Sequence, residues 1–515
     1  MLVDGPTVAW LGDENAVGAH LDAADAVVDL DGALVTPAFV DAHVHLTATG
    51  LARTGLDLST SRSAIDILDA VAVHGARSDA AVVLGSGWDE SGWAHAALPS
   101  ADELQRAGGG LTVYLARVDA HSALVSADLA GATAGRAGYS ADGWLRGDAH
   151  DTARRAALGR LGETDRRRAQ REAVAHAASL GIGSVHEMAG PSISSLADLA
   201  DLLGPDEERA PLEIVGYWGE LGGAAAAVEV GAAGAAGDLF CDGAIGSHTA
   251  AVHEPYTDRP DLHPPVRYSA EEMGHHIADC TRSGIQAGFH AIGDAAVDAV
   301  LDAMDRAGAQ CGDAAVRGAG HRLEHVEMVR AVDRFAAAGL IASMQPAFDA
   351  AWGGGDGLYQ RRLGPVRAAA MNDFGALLSA GVALAFGSDS PVTAFAPWEG
   401  VRAAAHPHRP ESAISVRAAY AAHTRGGWRA ARRDGDGSGV LAVGHPATYA
   451  VWSGGELRVD APDERIARWS TDPHATLAGL PDLSSGSPAP RCLGTVVRGR
   501  AAYDAGDRRP VTGDR

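Results

Sequence analysis

The 515-residue sequence is long enough for one large barrel and an accessory domain, because single hydrophobic cores stop growing at roughly 250–300 residues. Its 66 acidic residues outnumber 42 basic ones for a formal charge of -24, which opposes nucleic-acid binding, since phosphate recognition needs clustered cations. Every basic residue counted is arginine, so a Schiff-base lysine, a Walker lysine and a carbamylated-lysine metal bridge are all excluded.

Cys241, Cys280, Cys311 and Cys492 are scattered without a CxxC pair, which argues against a zinc ribbon and a disulfide scaffold. The opening residues lack a basic segment followed by an apolar one, and no run approaches the roughly 18 apolar residues of a membrane span. A cytoplasmic protein with no membrane partner is expected.

Along the chain, short strand-like runs broken by Gly, Asp and Pro occur near Val8–Val35 and again over Leu441–Tyr503. Residues 1–35 and 441–515 are therefore expected to form the two parts of one small β domain. Between them, 36–440 should hold the main domain. Apolar runs at Ala81–Leu84, Leu212–Gly216, Leu340–Ser343 and Val382–Phe386 alternate with stretches of helical spacing such as Arg166–Leu180 and Ala295–Ala307. That alternation predicts βα units around a parallel sheet. More than a hundred residues separate the first strand, near residue 40, from the run Gly181–His186, too many for one βα connection. An inserted subdomain over about 55–160 is expected. The Ala/Gly-rich stretch Gly222–Gly237 reads as a small-residue helix against the sheet rather than a linker.

The chemistry-bearing residues fall at the predicted strand ends. Thr36–His45 is an apolar strand closing on His43 and His45, which share a face because side chains alternate along a strand. Two imidazoles about 7 Å apart at the backbone can converge on one ion such as zinc. Gly288–Asp294 delivers His290 at a strand end before Gly293 opens a helix. About 35 residues later, Arg322-Leu323-Glu324-His325 repeats the arrangement at the spacing of one βα unit. Leu384–Pro391 ends in Asp389 between two serines. Such an aspartate caps a turn in many loops, but beside a metal it can take a proton from attacking water and return it to a leaving group.

This set resembles the amidohydrolase superfamily, and specifically the YtcJ-like branch that includes N-substituted formamide deformylases. The resemblance spans nearly the whole chain. It includes Gly85-Ser86-Gly87-Trp88-Asp89-Glu90, Asp119-Ala120-His121, Asp142-Gly143, the run Asp242–Ala250, Glu254-Pro255-Tyr256, Gln345-Pro346, Arg362-Leu363-Gly364 and His423-Thr424. It implies a distorted (β/α)8 TIM-like barrel, a β-sandwich built from both termini, and a metal centre at the C-terminal barrel mouth. His43 and His45 match the first-strand ligands of that family, His290 and His325 those of the fifth and sixth strands, and Asp389 the eighth-strand aspartate that serves as general base.

The sequence departs from the family at Asp238, where many relatives carry a lysine. Three arrangements remain: one metal ion, two ions bridged by Asp238 or another carboxylate, or a thiolate bridge from Cys241. Strand alternation puts Asp238 and Asp242 on one face and Cys241 on the other. One divalent ion is favoured over two, with zinc expected and iron or manganese open. Asp242 fits equally well as a residue that only orients a ligand or caps the glycine-rich turn. Trp88, His121, His248 and Gln345 are the substrate-binding candidates, and Asp89, His186 and Glu187 are further pocket candidates. For Trp88 ordinary subdomain packing is slightly favoured.

The implied activity is hydrolysis of a non-peptide carbon–nitrogen bond in an amide, formamide or cyclic amide by metal-activated water, on a small-molecule substrate. A deaminase acting on an aminated heterocycle, with Glu324 as its acid, is the enzymatic alternative, and a non-catalytic scaffold is the other. A homodimer is the expectation from the family.

Overall fold

The computed structural model describes residues 1–77, 81–95, 97–455, 457–458, 479–506 and 509–510. Its centre is a parallel sheet of eight strands whose spatial order follows the chain. These are β1 (Phe39–Val44), β2 (Ile182–Ala189), β3 (Glu213–Trp218), β4 (Gly234–Ala235), β5 (Gln286–Ala291), β6 (Arg322–His325), β7 (Ile341–Met344) and β8 (Ala383–Phe386). Every residue of β1, β2, β5, β6 and β7 is buried, as expected of parallel strands covered on both faces. The sheet closes at its mouth. There the Asp389 amide donates to the His43 carbonyl (2.8 Å) and the His45 amide to the Ser390 carbonyl (2.9 Å), just beyond the end of β8. The result is a distorted (β/α)8 barrel, with register shifts where β2 meets β1.

Helices Glu163–Ser179 and Asp294–Cys311 occupy the segments whose spacing predicts them. The Gly222–Gly237 stretch is only partly helical. It forms the helix Ala224–Val230, turns at Gly231 (φ 79°), and then supplies β4. The glycine at 234 has a steric reason, since a Cβ there would stand 2.4 Å from the Gln286 carbonyl oxygen of β5.

Between β1 and β2 the chain builds a separate five-stranded sheet. In spatial order its strands are Trp144–Arg146, Ser122–Val125, Thr112–Arg117, Val82–Trp88 and Leu56–Asp57. The run Ala81–Leu84 therefore belongs to this insertion and not to the barrel. One core on this sheet gathers Val83, Trp88, Val113, Leu115 and Leu124, and another gathers Tyr114, Ala123, Val125 and Leu145, as alternation along the strands requires. The helix Gly147–Leu158 carries the chain back toward the barrel.

The two ends of the chain meet in one antiparallel sheet, ordered Arg500–Asp504, Cys492–Val497, Tyr449–Trp452 and Leu34–Pro37. Trp452 donates its indole N–H to Thr36 Oγ1 (2.8 Å), and Thr495 Oγ1 donates to the Ala178 carbonyl (2.6 Å), fastening this sheet to the helix before β2. Three smaller strand pairs surround it, Leu2–Asp4 with Thr7–Trp10, Val28–Asp29 with Arg509–Pro510, and Leu457–Arg458 with Leu480–Pro481. Among the described residues, no helix is long and apolar enough to cross a membrane.

Candidate metal centre

Four histidines converge at the C-terminal mouth of the barrel. His43 and His45 point inward from the end of β1, His290 from β5 and His325 from β6, and all four are buried. Each has one ring nitrogen held from behind. His43 Nδ1 donates to Glu324 Oε2 (2.9 Å), His45 Nδ1 to the Met188 carbonyl (3.0 Å), His290 Nε2 to the Gly243 carbonyl (3.2 Å) and His325 Nδ1 to Gln345 Oε1 (2.8 Å). Because these oxygens can only accept, the bonds fix the tautomers and leave the other nitrogen of each ring as a lone pair facing the centre.

Those nitrogens face two carboxylates. Asp238 Oδ1 lies 3.4 Å from His43 Nε2, 3.5 Å from His290 Nδ1 and 3.7 Å from His325 Nε2, and its Oδ2 lies 3.1 Å from His45 Nε2. Asp389 Oδ1 stands 3.1 Å from His45 Nε2 and 3.5 Å from His43 Nε2. Most of these separations exceed a hydrogen bond. They match instead the spacing of neighbouring ligand atoms around one tetrahedral ion with bonds of 2.0–2.1 Å, which is about 3.3–3.4 Å. His43 Nε2, His290 Nδ1, His325 Nε2, Asp238 Oδ1 and Asp389 Oδ1 are buried and have no hydrogen-bond partner. Buried polar atoms in folded proteins are mostly hydrogen-bonded, and these five orphans converge on one region at the barrel mouth, which is what a cation's donor set requires. Two overlapping triads come together closely enough to share an ion, His43–Asp238–His325 and His43–His45–Asp389.

The field at this point favours positive charge. Burial opposes a charge on His43, but Asp238 and Asp389 outweigh it and hold the imidazole well above its ordinary value. His45 is pushed up to about 10 against the same burial penalty by the same two carboxylates. Burial likewise opposes the charge of Asp238, and the neighbouring His43 overrides it, holding the carboxyl well below the usual range. The strand ends bear strain as well. His325 (φ 71°) and Asp389 (φ 56°) both adopt the left-handed conformation that non-glycine residues avoid, which persists only where the surroundings impose it. For Asp389 one restraint is Asp41, whose Oδ1 accepts from the Ser388 amide (2.8 Å) and pins this turn onto β1.

Behind the centre, Arg322 and Glu324 form a fully buried pair. Arg322 Nε and Nη2 donate to the two Glu324 oxygens (2.5 and 3.0 Å), and the guanidinium also reaches the Ala42 carbonyl (2.7 Å), Ser343 Oγ (2.9 Å) and His186 Nδ1 (3.0 Å). Despite the cost of burial, Arg322 holds the Glu324 carboxyl at about 2. Glu324 is fully buried behind His43, with both oxygens engaged by Arg322 and His43, and does not line the cavity where the deaminase alternative would place its acid.

The amidohydrolase family profile matches residues 26–503. The chain belongs to the amidohydrolase family. It is 27% identical over 481 residues to Protein LONG AFTER FAR-RED 3 of Arabidopsis thaliana, covering 83% of this chain and 79% of that protein. It is 26% identical over 478 residues to the amidohydrolase-like protein YtcJ of Bacillus subtilis (strain 168), covering 84% and 86%. Among solved structures, an uncharacterized metal-dependent hydrolase from Pyrococcus furiosus superposes with a TM-score of 0.68 at 25% identity, covering 87% of this chain and 93% of that one. A second, from Pyrococcus horikoshii OT3, shares the fold with a TM-score of 0.71 at 23% identity, covering 89% and 93%.

This amidohydrolase has a cavity of about 400 Å3 opening from the centre between barrel mouth and insertion. His121 lines it, with its ring 5.2 Å from that of His290, and burial keeps the imidazole well below its ordinary value. The other three substrate-binding expectations meet a different environment. Trp88 is sealed in the insertion's core, its indole donating to the Leu115 carbonyl (2.9 Å), as the packing of a large aromatic there demands. His248 sits on the outer side of the Asp242–Ala250 loop, paired with Asp258 (3.0 Å). Gln345 holds His325 from behind and so acts on the centre, not on the cavity.

Asp89 is bound to Arg117 (2.6 Å), His186 faces Arg322, and Glu187 lines the cavity floor while accepting from the Leu46 amide (2.7 Å). Asp242 accepts from the amides of Ala251, Ile292 and Gly293 at 2.8–3.1 Å, and thus serves as the cap of the glycine-rich turn. Cys241 faces outward, with its sulfur 3.2 Å from that of Met273, so a thiolate bridge is ruled out by direction. The Arg322–Glu324 pair went unread in the sequence. Its signal was there as two opposite charges at i and i+2 on a strand that has to be buried.

Proposed function

We propose that this amidohydrolase binds divalent metal through His43, His45, His290, His325 and Asp389, with Asp238 as a further ligand, and hydrolyses a carbon–nitrogen bond of a small amide, formamide or cyclic amide. The observation that carries the reading is the set of five unsatisfied ligand atoms on three strands, the β4–β5 connection and the turn after β8, all facing one region. Asp238 turns one oxygen toward His43, His290 and His325 and the other toward His45, so both of its oxygens would be available to hold divalent metal beside the four imidazoles. Zinc suits the nitrogen-rich donor set.

A divalent cation at this site supplies a Lewis acid that acidifies water and polarises a carbonyl oxygen. The chain's own groups do the rest. Asp389 lines the cavity beside the imidazoles, so that its carboxylate would help hold the cation through Oδ1 and also accept the proton of the attacking water and deliver it to the departing amine. Glu324, Gln345 and the Met188 and Gly243 carbonyls hold the imidazoles in one orientation throughout, so no reorganisation is needed as charge develops. The cavity's size suits a small molecule.

The test is Asp389→Asn assayed against N-formyl, N-acetyl, carbamoyl and cyclic amides, with metal content measured alongside. Retained metal with turnover reduced about 10²–10⁴-fold, the usual weight of a general base, is the expected result. Undiminished turnover would remove Asp389 from the role, and a wild-type protein without stoichiometric metal would favour the scaffold reading.

A further inference from the structure

The wall of the cavity is mostly apolar, formed by Leu51, Leu84, Leu158, Ile193, Phe240 and Val392 among others. Into it projects Arg154, from the last turns of the helix Gly147–Leu158. Its guanidinium is held by neutral oxygens: Nε donates to Tyr114 Oη (3.2 Å), Nη1 to the Ser192 carbonyl (3.4 Å) and Nη2 to the Ala120 carbonyl. Tyr114 is itself fixed by a bond to His150 Nε2 (2.8 Å).

Burial opposes the charge of Arg154, and Tyr114, Asp151 and Asp238 outweigh that penalty, but the two carboxylates make their close contacts with other groups. Asp151 pairs with Arg267 (3.3 Å), and Asp119 with Arg117 (2.9 Å) and Ser247. Asp198 accepts from Thr47 and Gln170 (2.9 Å each) and faces Arg166. Among the described residues Arg154 has no ion-pair partner. Three of the five N–H groups of its guanidinium are used, which leaves two. A guanidinium with two N–H groups free at a cavity wall is shaped to receive two oxygens of one carboxylate side by side. Tethering at three points also removes the entropy that a free arginine would lose on binding. Ser194, two residues beyond the Ser192 carbonyl, lines the same cavity with a buried hydroxyl that has no partner. Arg155 and Arg166 also reach the wall, but Arg155 lies at the exposed rim and Arg166 already faces Asp198.

We propose that Arg154 is a specificity-determining residue that receives a carboxylate of the substrate, so that the natural substrate is an amphipathic anion with an apolar body along the cavity wall and its scissile bond at the metal centre. That the anion is a substrate rests on the hydrolase reading; that it binds does not.

Binding and turnover are therefore measured separately on the holoenzyme. Calorimetric titration compares 4-phenylbutyrate with its neutral isostere 4-phenylbutyramide. Wild type is expected to bind the carboxylate at least tenfold more tightly, and Arg154→Met to narrow that difference to under threefold. Equal binding of the two ligands by wild type would overturn the proposal. So would a preference that survives intact in Arg154→Met, because the carboxylate would then be held elsewhere, the metal centre included. Should the methionine variant fail to fold, Arg154→Lys decides, since a single ammonium cannot reproduce the forked contact and the preference must still shrink.

Turnover is compared on 4-formamidobenzoate and 4-formamidobenzamide. The anion is expected to show the lower KM. Hydrolysis of both without preference refutes the role of Arg154 and leaves the hydrolase reading standing. Hydrolysis of neither, with the binding preference intact, does the reverse.

Discussion

Glu324→Gln is the sharpest probe of how the second layer governs the first. The carboxylate accepts two bonds from Arg322 and one from His43 Nδ1, and all three residues are fully buried. A glutamine of the same shape must put its NH2 either in the Oε1 position against Arg322 Nε, setting donor against donor, or in the Oε2 position against both Arg322 Nη2 and His43 Nδ1. In the second case His43 Nδ1 becomes the acceptor, the ring proton moves to Nε2, and the lone pair that faces the centre is lost. Either outcome also leaves Arg322 without its counter-charge, and breaking a buried pair from one side costs about 3–5 kcal/mol. Outer partners of metal-bound histidines are worth roughly 10–100-fold in metal affinity. Chelator competition should therefore show metal held 10–100-fold more weakly, and thermal unfolding should show a lowered midpoint. If Glu324→Gln binds metal as tightly and melts as high as wild type, the inference that His43 is oriented from behind is wrong.

Gly293→Ala should be far more disruptive than its size suggests. A Cβ at 293 would lie 1.9 Å from the Ala251 carbonyl oxygen and 2.5 Å from its carbon, both backbone atoms, in the turn that Asp242 caps. Soluble yield and metal content should both fall. Cys241→Ala, by contrast, should retain full metal stoichiometry by elemental analysis, since its sulfur faces Met273.

Mild acid should destabilise the fold through His321 and His423. Burial pushes both down to about 4. His321 Nδ1 accepts from the Ala287 amide (2.9 Å), leaving no room for a second ring proton. Because the folded value lies below the unfolded one, the stabilisation is complete above about pH 6.5 and is lost as pH falls toward 4, on the order of 3 kcal/mol per histidine. Unfolding midpoints recorded from pH 8 to pH 4 should drop in that window, less steeply in His321→Gln; a flat profile would contradict the assignment.

How legible the centre is in the sequence depends on the length of its strands. His43 and His45 are readable because β1 runs for six residues up to Val44 and the two-residue alternation holds. Asp389 and His325 are readable as the charged ends of apolar runs, although their left-handed backbones are not. Asp238 is harder, since β4 is two residues long and the irregular chain after it obeys no period. The outward direction of Cys241 agrees with alternation, while Asp242 is taken up by three amides that come from distant segments. Trp88 lies in a block shared with relatives, yet a large aromatic in a short motif fills a core as readily as a pocket. Arg154 is silent in the sequence, because it reaches the barrel mouth only through the way the insertion folds back.

The terminal sheet sets an order of events for the nascent chain. Val35 pairs with Val451, so one side of this strand has no partner until 416 further residues have been made. At 5–20 residues per second that interval is roughly 20–80 s. Throughout it, Leu34–Pro37 presents a free hydrogen-bonding edge directly ahead of the strand that carries His43 and His45. The strand leading into β1 is thus held in a finished setting only after the residues through Trp452 have been made, and a chain truncated before Tyr449 keeps that edge open to self-association.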